Sequence, residues 1–218
     1  MGEPRPLHGE AACLLGRPTV FIQMVEGACT HEDDMRMLVD DWCNRMADES
    51  GWLGGTYGFT DEGRFVGVVR YESREAYEKC CAADDAGMWW AAAEEIFDGM
   101  PEMHQSEDVM MMLDGGSDQA GFVQVMRGRV GDPDKLRRIM TDQDMTSMLH
   151  QARPEIIGAT LLIEDDGSFT ETISFTDEDS ARKGEAMDMP AEVAADLQEA
   201  MAEVAYYDLH KPWFGRHH

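Results

Sequence analysis

Phe21-Ile22-Gln23-Met24-Val25-Glu26-Gly27 is matched further along the chain by Phe122-Val123-Gln124-Val125-Met126-Arg127-Gly128. Thr60-Asp61-Glu62-Gly63-Arg64-Phe65 is matched in turn by Glu164-Asp165-Asp166-Gly167-Ser168-Phe169. The offset is 101 for the first pair (Phe21 to Phe122) and 104 for the second (Thr60 to Glu164), a change of three residues that one short loop insertion supplies. Self-similarity of this kind means one supersecondary unit present twice.

Working outward from the repeat, each copy reads β-α-β-β-α-β. Thr19–Gly27 alternates in the manner of a strand. Thr30-His31-Glu32-Asp33 predicts an N-cap, followed by Met35, Leu38, Val39, Trp42 and Met46 on one helical stripe. His31-Glu32-Asp33-Asp34 has metal-ligand character, but a capped, acidic first turn explains it through the helix dipole. Leu53–Thr60 and Phe65–Tyr71 flank an acidic-Gly turn and predict a hairpin. Ser73 caps a second helix to about Phe97, and His104–Leu113 is the fourth strand. In the second copy, Phe122–Val130 is a strand and Asp132-Pro133 opens a helix with Leu136, Ile139 and Met140 inward. Ile156–Glu164 and Phe169–Phe175 form the hairpin. Thr176 caps a helix that restarts at Pro190 and runs through Val204, and Tyr206–Leu209 begins the last strand. The organisation is an extension over 1–18, a module over 19–114, a linker over 115–120, a module over 121–214 and a tail over 215–218.

Both faces of these strands carry apolar residues: Val20, Ile22 and Met24 on one, Phe21 and Val25 on the other. Helices cover one face of such a sheet, and the second must be covered too. The fused copy is the natural cover. The fold class is therefore α+β, with two ferredoxin-like βαββαβ modules closing into one pseudo-twofold barrel. The molecule is expected as a monomer of that symmetry or as a homodimer.

The chain has 218 residues and 43% hydrophobic content, and 44 acids against 18 bases give a net charge of −26. Nucleic-acid binding needs Lys and Arg to neutralise phosphates, so it is excluded as an expectation. Adhesion to an anionic membrane surface is excluded likewise. No stretch reaches the ~20 apolar residues of a membrane-spanning helix. Met1–Pro18 carries no apolar run of leader length, and five cysteines (Cys13, Cys29, Cys43, Cys80, Cys81) without C-x-x-C spacing predict reduced thiols in a cytoplasm. Walker, dinucleotide, nucleophile-elbow and H-E-x-x-H motifs are missing, and no metal site is expected.

The Phe-x-Gln starts at Phe21 and Phe122, Tyr71-Glu72-Ser73-Arg74-Glu75-Ala76-Tyr77, Gly87-Met88-Trp89-Trp90-Ala91 and Tyr206-Tyr207-Asp208-Leu209-His210-Lys211-Pro212-Trp213 resemble the dimeric α+β barrel superfamily. The resemblance is to antibiotic-biosynthesis-monooxygenase-like proteins with two fused modules, and it covers about residues 19 to 214. It implies oxygen chemistry on an electron-rich aromatic small molecule without a cofactor. The superfamily also contains haem degraders, which implies haem as an alternative. The axial His of those proteins comes from the second helix, and no His lies between Ser73 and Phe97 here. A non-catalytic ligand-binding or structural module is the third reading.

Candidate site residues follow from residue type and position. Gln23 places an amide among apolar neighbours mid-strand, where a substrate or the backbone must satisfy it. Trp89 and Trp90 lie where the resemblance places a pocket. Adjacent helical residues diverge by about 100°, so one of the two is expected to face the sheet. The second copy has Glu185-Ala186-Met187-Asp188-Met189 there, so the site is expected in the first. His104 and Tyr77 are the candidates for handling a proton. Asn44 and Tyr57 are candidates for hydrogen bonds to a phenolic substrate. Met110-Met111-Met112 would suggest copper only by converging, and otherwise reads as adaptable core.

Overall fold

The computed structural model describes residues 20–113, 115–187 and 191–217. The N-terminal extension with Cys13, Asp114 of the joint, the restart at Pro190 and His218 lie outside the described residues. The first half runs β1 (Phe21–Ala28), α1 (Glu32–Met46), β2 (Trp52–Phe59), β3 (Arg64–Tyr71), α2 (Arg74–Cys81), α3 (Asp84–Ile96), β4 (Glu102–Ser106) and β5 (Val109–Met112). The second runs β6 (Phe122–Val130), α4 (Pro133–Thr141), α5 (Gln143–Ala152), β7 (Ile156–Ile163), β8 (Ser168–Phe175), α6 (Glu178–Glu185), α7 (Ala191–Ala200), β9 (Met201–Leu209) and β10 (Trp213–Gly215). No helix among the described residues is long and apolar enough to cross a membrane.

Local chemistry explains most boundaries. Gly63 sits at φ +72° in the β2–β3 turn, where the Thr60 amide bonds the Arg64 carbonyl at 2.9 Å. The Ser73 hydroxyl accepts from the Ala76 amide, and the Asp132 carboxylate from Lys135 N at 2.9 Å, ahead of Pro133 at N1. Other boundaries differ from expectation. Thr30 does not cap α1. Its amide and hydroxyl bond the Asp98 carboxylate at 2.6 and 3.1 Å, because an ionised acceptor outcompetes local capping. Asp177, not Thr176, caps α6 for the same reason, accepting from Ser180 N at 2.8 Å. The second helix breaks where Ala83 takes extended backbone (φ −68°, ψ 138°), so that α3 packs against α1. β9 begins at Met201, earlier than expected.

The largest difference concerns the expected strand His104–Leu113. It is two strands in two sheets: β4 pairs with β1, and β5 pairs with β7 of the other half. The second half does the same, with β9 on β6 and β10 on β2. The resulting sheets are β10-β2-β3-β1-β4 and β5-β7-β8-β6-β9, all pairs antiparallel. Each sheet thus borrows its fifth strand from the other copy. The crossing from β4 to β5 is pinned by Ser106, whose hydroxyl donates to the Ile163 carbonyl and accepts from Asp108 N at 2.9 Å.

Between the sheets lies one apolar core, with Ile22, Met24, Val66 and Val68 against Val123, Val125, Leu162 and Leu209. This is the cover that two-faced strands require, and it makes the halves one barrel. The outer face of the first sheet packs Phe21, Val25, Phe65, Val69 and Tyr71 under its helices. The outer face of the second packs Met126, Leu136, Met140, Leu161 and Phe169. Met110 is buried and Met111 exposed, so the methionine run does not converge. Cys29, Cys43, Cys80 and Cys81 are free thiols.

Candidate functional site

Alternation along β1 sends Phe21, Gln23 and Val25 to the helical side and Ile22, Met24 and Glu26 into the barrel. On the helical side of the first sheet a cavity of about 310 Å³ opens. Its floor is Gln23, Val25, Tyr57, Phe65, Gly67, Val69 and Met103. Its walls are Met35, Val39 and Trp42 from α1, Tyr77 and Cys81 from α2, Trp89, Trp90 and Ala93 from α3, and Phe97 just after it.

The Gln23 amide donates to the Tyr77 hydroxyl at 2.9 Å and approaches the Met103 sulfur at 3.7 Å. Tyr77 stacks on Phe21 with ring centroids 4.6 Å apart, which holds the phenol in place. Burial, then the neighbouring Cys81 thiol, push the Tyr77 phenol up to about 12. It is therefore a hydrogen-bond donor at neutral pH; it accepts from Gln23 and turns its proton to the Cys81 thiol, a weak acceptor that a ligand oxygen would displace. Tyr57 is raised further, again by burial first and then by the Cys43 thiol beside it. Its buried hydroxyl meets no nitrogen or oxygen partner and has only the Cys43 thiol, a weak acceptor, beside it. Both indoles line the cavity, where helical divergence had predicted one. Their rings are 6.0 Å apart, with Trp89 Nε1 tied to the Leu38 carbonyl at 3.0 Å and Trp90 Nε1 to Glu94 at 2.7 Å.

So Gln23, Tyr57, Tyr77, Trp89 and Trp90 come together, and two expected residues do not. Asn44 is on the exposed face of α1, because the buried face carries Met35, Val39 and Met46. His104 pairs with Met24 and therefore points into the barrel, with the sheet between it and the cavity. It sits 3.4 Å from Glu164 and 3.8 Å from both Glu26 and Glu102. Burial, reinforced by Arg127, lowers its pKa, so the imidazole is neutral. Glu26, Glu102 and His104 are spaced as metal ligands are. However, Glu26 already holds Arg64 at 2.9 Å and the Tyr207 hydroxyl at 3.0 Å, and Arg127 stands 3.7 Å away. The chain's own guanidiniums meet that charge.

Composition and pattern did not single out Gly67, Trp42, Cys81, Met103 or Trp213. A glycine inside an otherwise apolar strand, Phe65-Val66-Gly67-Val68-Val69, was the readable signal for the first. Trp213 backs the cavity from outside. On β10 it pairs with Tyr57 and packs on Tyr57, Phe59 and Phe65 at 5.8, 5.7 and 6.2 Å between ring centroids. The end of the second half thus supports the pocket of the first.

The second copy lacks this arrangement. By strand register Gly67 corresponds to Glu171, Val25 to Met126, Val69 to Ile173 and Tyr57 to Leu161. Three of those four positions carry larger side chains. Gln124 is locked, donating to Glu185 at 3.2 Å and Asp208 at 2.9 Å.

No protein-family model matches this sequence, and no curated protein matches it. Solved structures do. A candidate monooxygenase of Fusobacterium nucleatum superposes with a TM-score of 0.71 at 12% identity, over 91% of this chain and 94% of that one. A candidate monooxygenase of Lactobacillus acidophilus gives 0.68 at 10% identity, over 91% and 97%. An anthrone oxidase-like protein gives 0.63 at 14% identity, over 91% and 94%. This chain shares their fold. The match spans both halves of each partner, so the tandem α+β barrel is common to all of them, while identities this low leave the chemistry to the site.

Proposed function

We propose that this protein is a cofactor-independent monooxygenase, or a related small oxidoreductase, acting on an uncharged, electron-rich aromatic molecule in the first-half pocket. The observation that carries this reading is the composition of the cavity. It has aromatic walls, one oriented amide–phenol pair, Gln23 and Tyr77, and no Lys or Arg. Such a site suits a flat apolar molecule with one or two oxygens and rejects a carboxylate or phosphate. For haem the donor set fits poorly, because no His lines the cavity and no cation meets the propionates.

In this reading the substrate supplies the electrons. An anthrone loses a proton from its ring methylene, the carbanion reduces O2, the oxygen adds at the same carbon, and water leaves. The CH2 becomes C=O, with one oxygen atom in the quinone and one in water. Among the described lining residues there is no carboxylate, His or Lys, so the proton leaves to solvent from a substrate that is itself acidic. Tyr77 donates to the developing oxyanion, Gln23 holds Tyr77, and the indoles exclude water.

The test is oxygen uptake with an anthrone such as dithranol. Tyr77→Phe should lower kcat by about 10²-fold, as loss of one oxyanion donor does, while the protein stays folded. Trp90→Ala should abolish turnover. Uptake that survives both variants overturns the assignment. The missing base favours a second reading, a binding protein for such aromatics. Saturable binding without oxygen uptake would establish that one.

A further inference from the structure

Gln23 is held more weakly than its counterpart in the other copy. The Gln124 amide donates to two carboxylates, Glu185 at 3.2 Å and Asp208 at 2.9 Å. The Gln23 amide donates to the Tyr77 hydroxyl at 2.9 Å and has the Met103 thioether at 3.7 Å. A thioether sulfur is a weak acceptor. One hydrogen of the Gln23 amide is therefore poorly matched beside an apolar cavity.

Strand register creates this contact. Across the β1–β4 pair Val25 faces Met103 and Gln23 faces Gln105, so Gln23 and Met103 are diagonal neighbours within reach of long side chains. The equivalent place on β9, opposite Met126, holds Tyr206. β4 is an edge strand, and Met103 is 52% exposed although it lines the cavity, so it stands at the opening. The other lining methionine, Met35, is 1% exposed and packed in the core. Met37, Met88, Met100, Met111, Met148 and Met187 are exposed too, but none of these lines the cavity.

We propose that Met103 is a modification site, a hydroperoxide-sensitive gate on the first-half cavity. The hydroperoxide O–O bond breaks and its terminal oxygen forms a bond to the Met103 sulfur. The terminal proton moves to the other oxygen, which leaves as water or an alcohol. The sulfur is oxidised by one electron pair and the peroxide is reduced by it. The product is a sulfoxide, polar where the thioether was apolar. Its oxygen is the strong acceptor that the second Gln23 hydrogen lacks, and that bond fixes the polar side chain across the opening. An uncharged aromatic then has to strip water from a polar group to enter, so it binds more weakly. This consequence rests on the reading of the cavity as a site for uncharged aromatics; the new partner at Gln23 does not.

The test treats the full chain with hydrogen peroxide, beside Met103→Leu, which keeps an apolar side chain and cannot take the oxygen. Dithiothreitol follows, returning sulfenic acids and disulfides to thiols while sulfoxides persist. Peptide mass mapping should show one added oxygen on Met103. The side-chain amide resonances of Gln23 should move in wild type on oxidation and should not respond to peroxide in Met103→Leu. Binding of Prodan, a neutral naphthalene fluorophore, should weaken by about tenfold in oxidised wild type, the scale of one unmatched polar group. In Met103→Leu it should be the same before and after peroxide. Methionine sulfoxide reductases should restore wild-type binding. Three results overturn the proposal: Met103 stays unoxidised while Met88 and Met100 take oxygen, the Gln23 resonances ignore oxidation of Met103, or peroxide weakens binding equally in Met103→Leu. Untreated protein that does not bind Prodan overturns the aromatic reading instead, and mass mapping with the Gln23 resonances then decides the Met103 proposal by itself.

Discussion

The stability of this protein should fall as pH rises from about 4.5 to 7, and Glu171→Gln should remove that fall. The group carries no counter-ion, so the whole shift comes from burial, from an ordinary 4.5 to about 7. The sign follows from proton linkage. Between those two values the folded state holds a proton that the unfolded state has lost, so raising pH favours unfolding. The full effect is present above pH 7 and absent below 4.5. At roughly 1.4 kcal/mol per pKa unit, the loss is roughly 3 kcal/mol. For a chain of this size that is a Tm lower by roughly 6–12 °C. Swinging the carboxylate out of the core relieves the charge, so the loss levels off at the free energy of opening that face. The assay is urea denaturation of wild type and Glu171→Gln at half-unit steps from pH 4.5 to 8.5. The other titrating groups are common to both proteins and cancel in the difference. The stability difference should move in favour of Gln as pH rises and flatten above 7. Parallel curves would refute the reasoning, because they would mean that the Glu171 carboxyl has the same pKa folded and unfolded.

Other perturbations probe the pocket and the exchanged strands. Tyr57→Phe removes a buried hydroxyl whose one neighbour is the weakly accepting Cys43 thiol, and should change the stability of the free protein by no more than about 1 kcal/mol in chemical denaturation. Trp213→Ala should destabilise by about 3–5 kcal/mol and weaken aromatic binding in the first-half pocket, with Trp213→Phe restoring most of both. Gly158→Ala drives a Cβ into the Gly115 carbonyl oxygen, where backbone cannot yield, so the urea midpoint should drop sharply. Gly87→Ala meets nothing within 4 Å on α3 and should raise the midpoint by about 0.5–1 kcal/mol equivalent. If the two glycines behaved alike, the placement of Gly158 against the joint would be wrong.

What the sequence determined by itself is everything that depends on neighbours within a few residues or on the repeat. The two Gly turns, the caps at Ser73 and Asp132 and the two-faced strands that demand a fused cover are of this kind. Gln23, Tyr57, Tyr77, Trp89 and Trp90, which the cavity brings together, were nameable in advance because the family resemblance placed a pocket beside the second helix and the copies differ there. Only the tertiary structure decided the rest. Ser106-Glu107-Asp108 contains no Gly or Pro to announce that the chain changes sheets, because the choice of a β partner is made by residues far away, at Ile163 and along β7. The same pairing decides which side of β4 faces the barrel, and that sent His104 to Glu26 rather than to the cavity. Gly67 stands out in its own strand only as a glycine among apolar residues, and Glu171 only as an acid. They become a glycine pressed under the Tyr57 and Phe65 rings and a buried acid only when the register places them at equivalent points of two facing sheets.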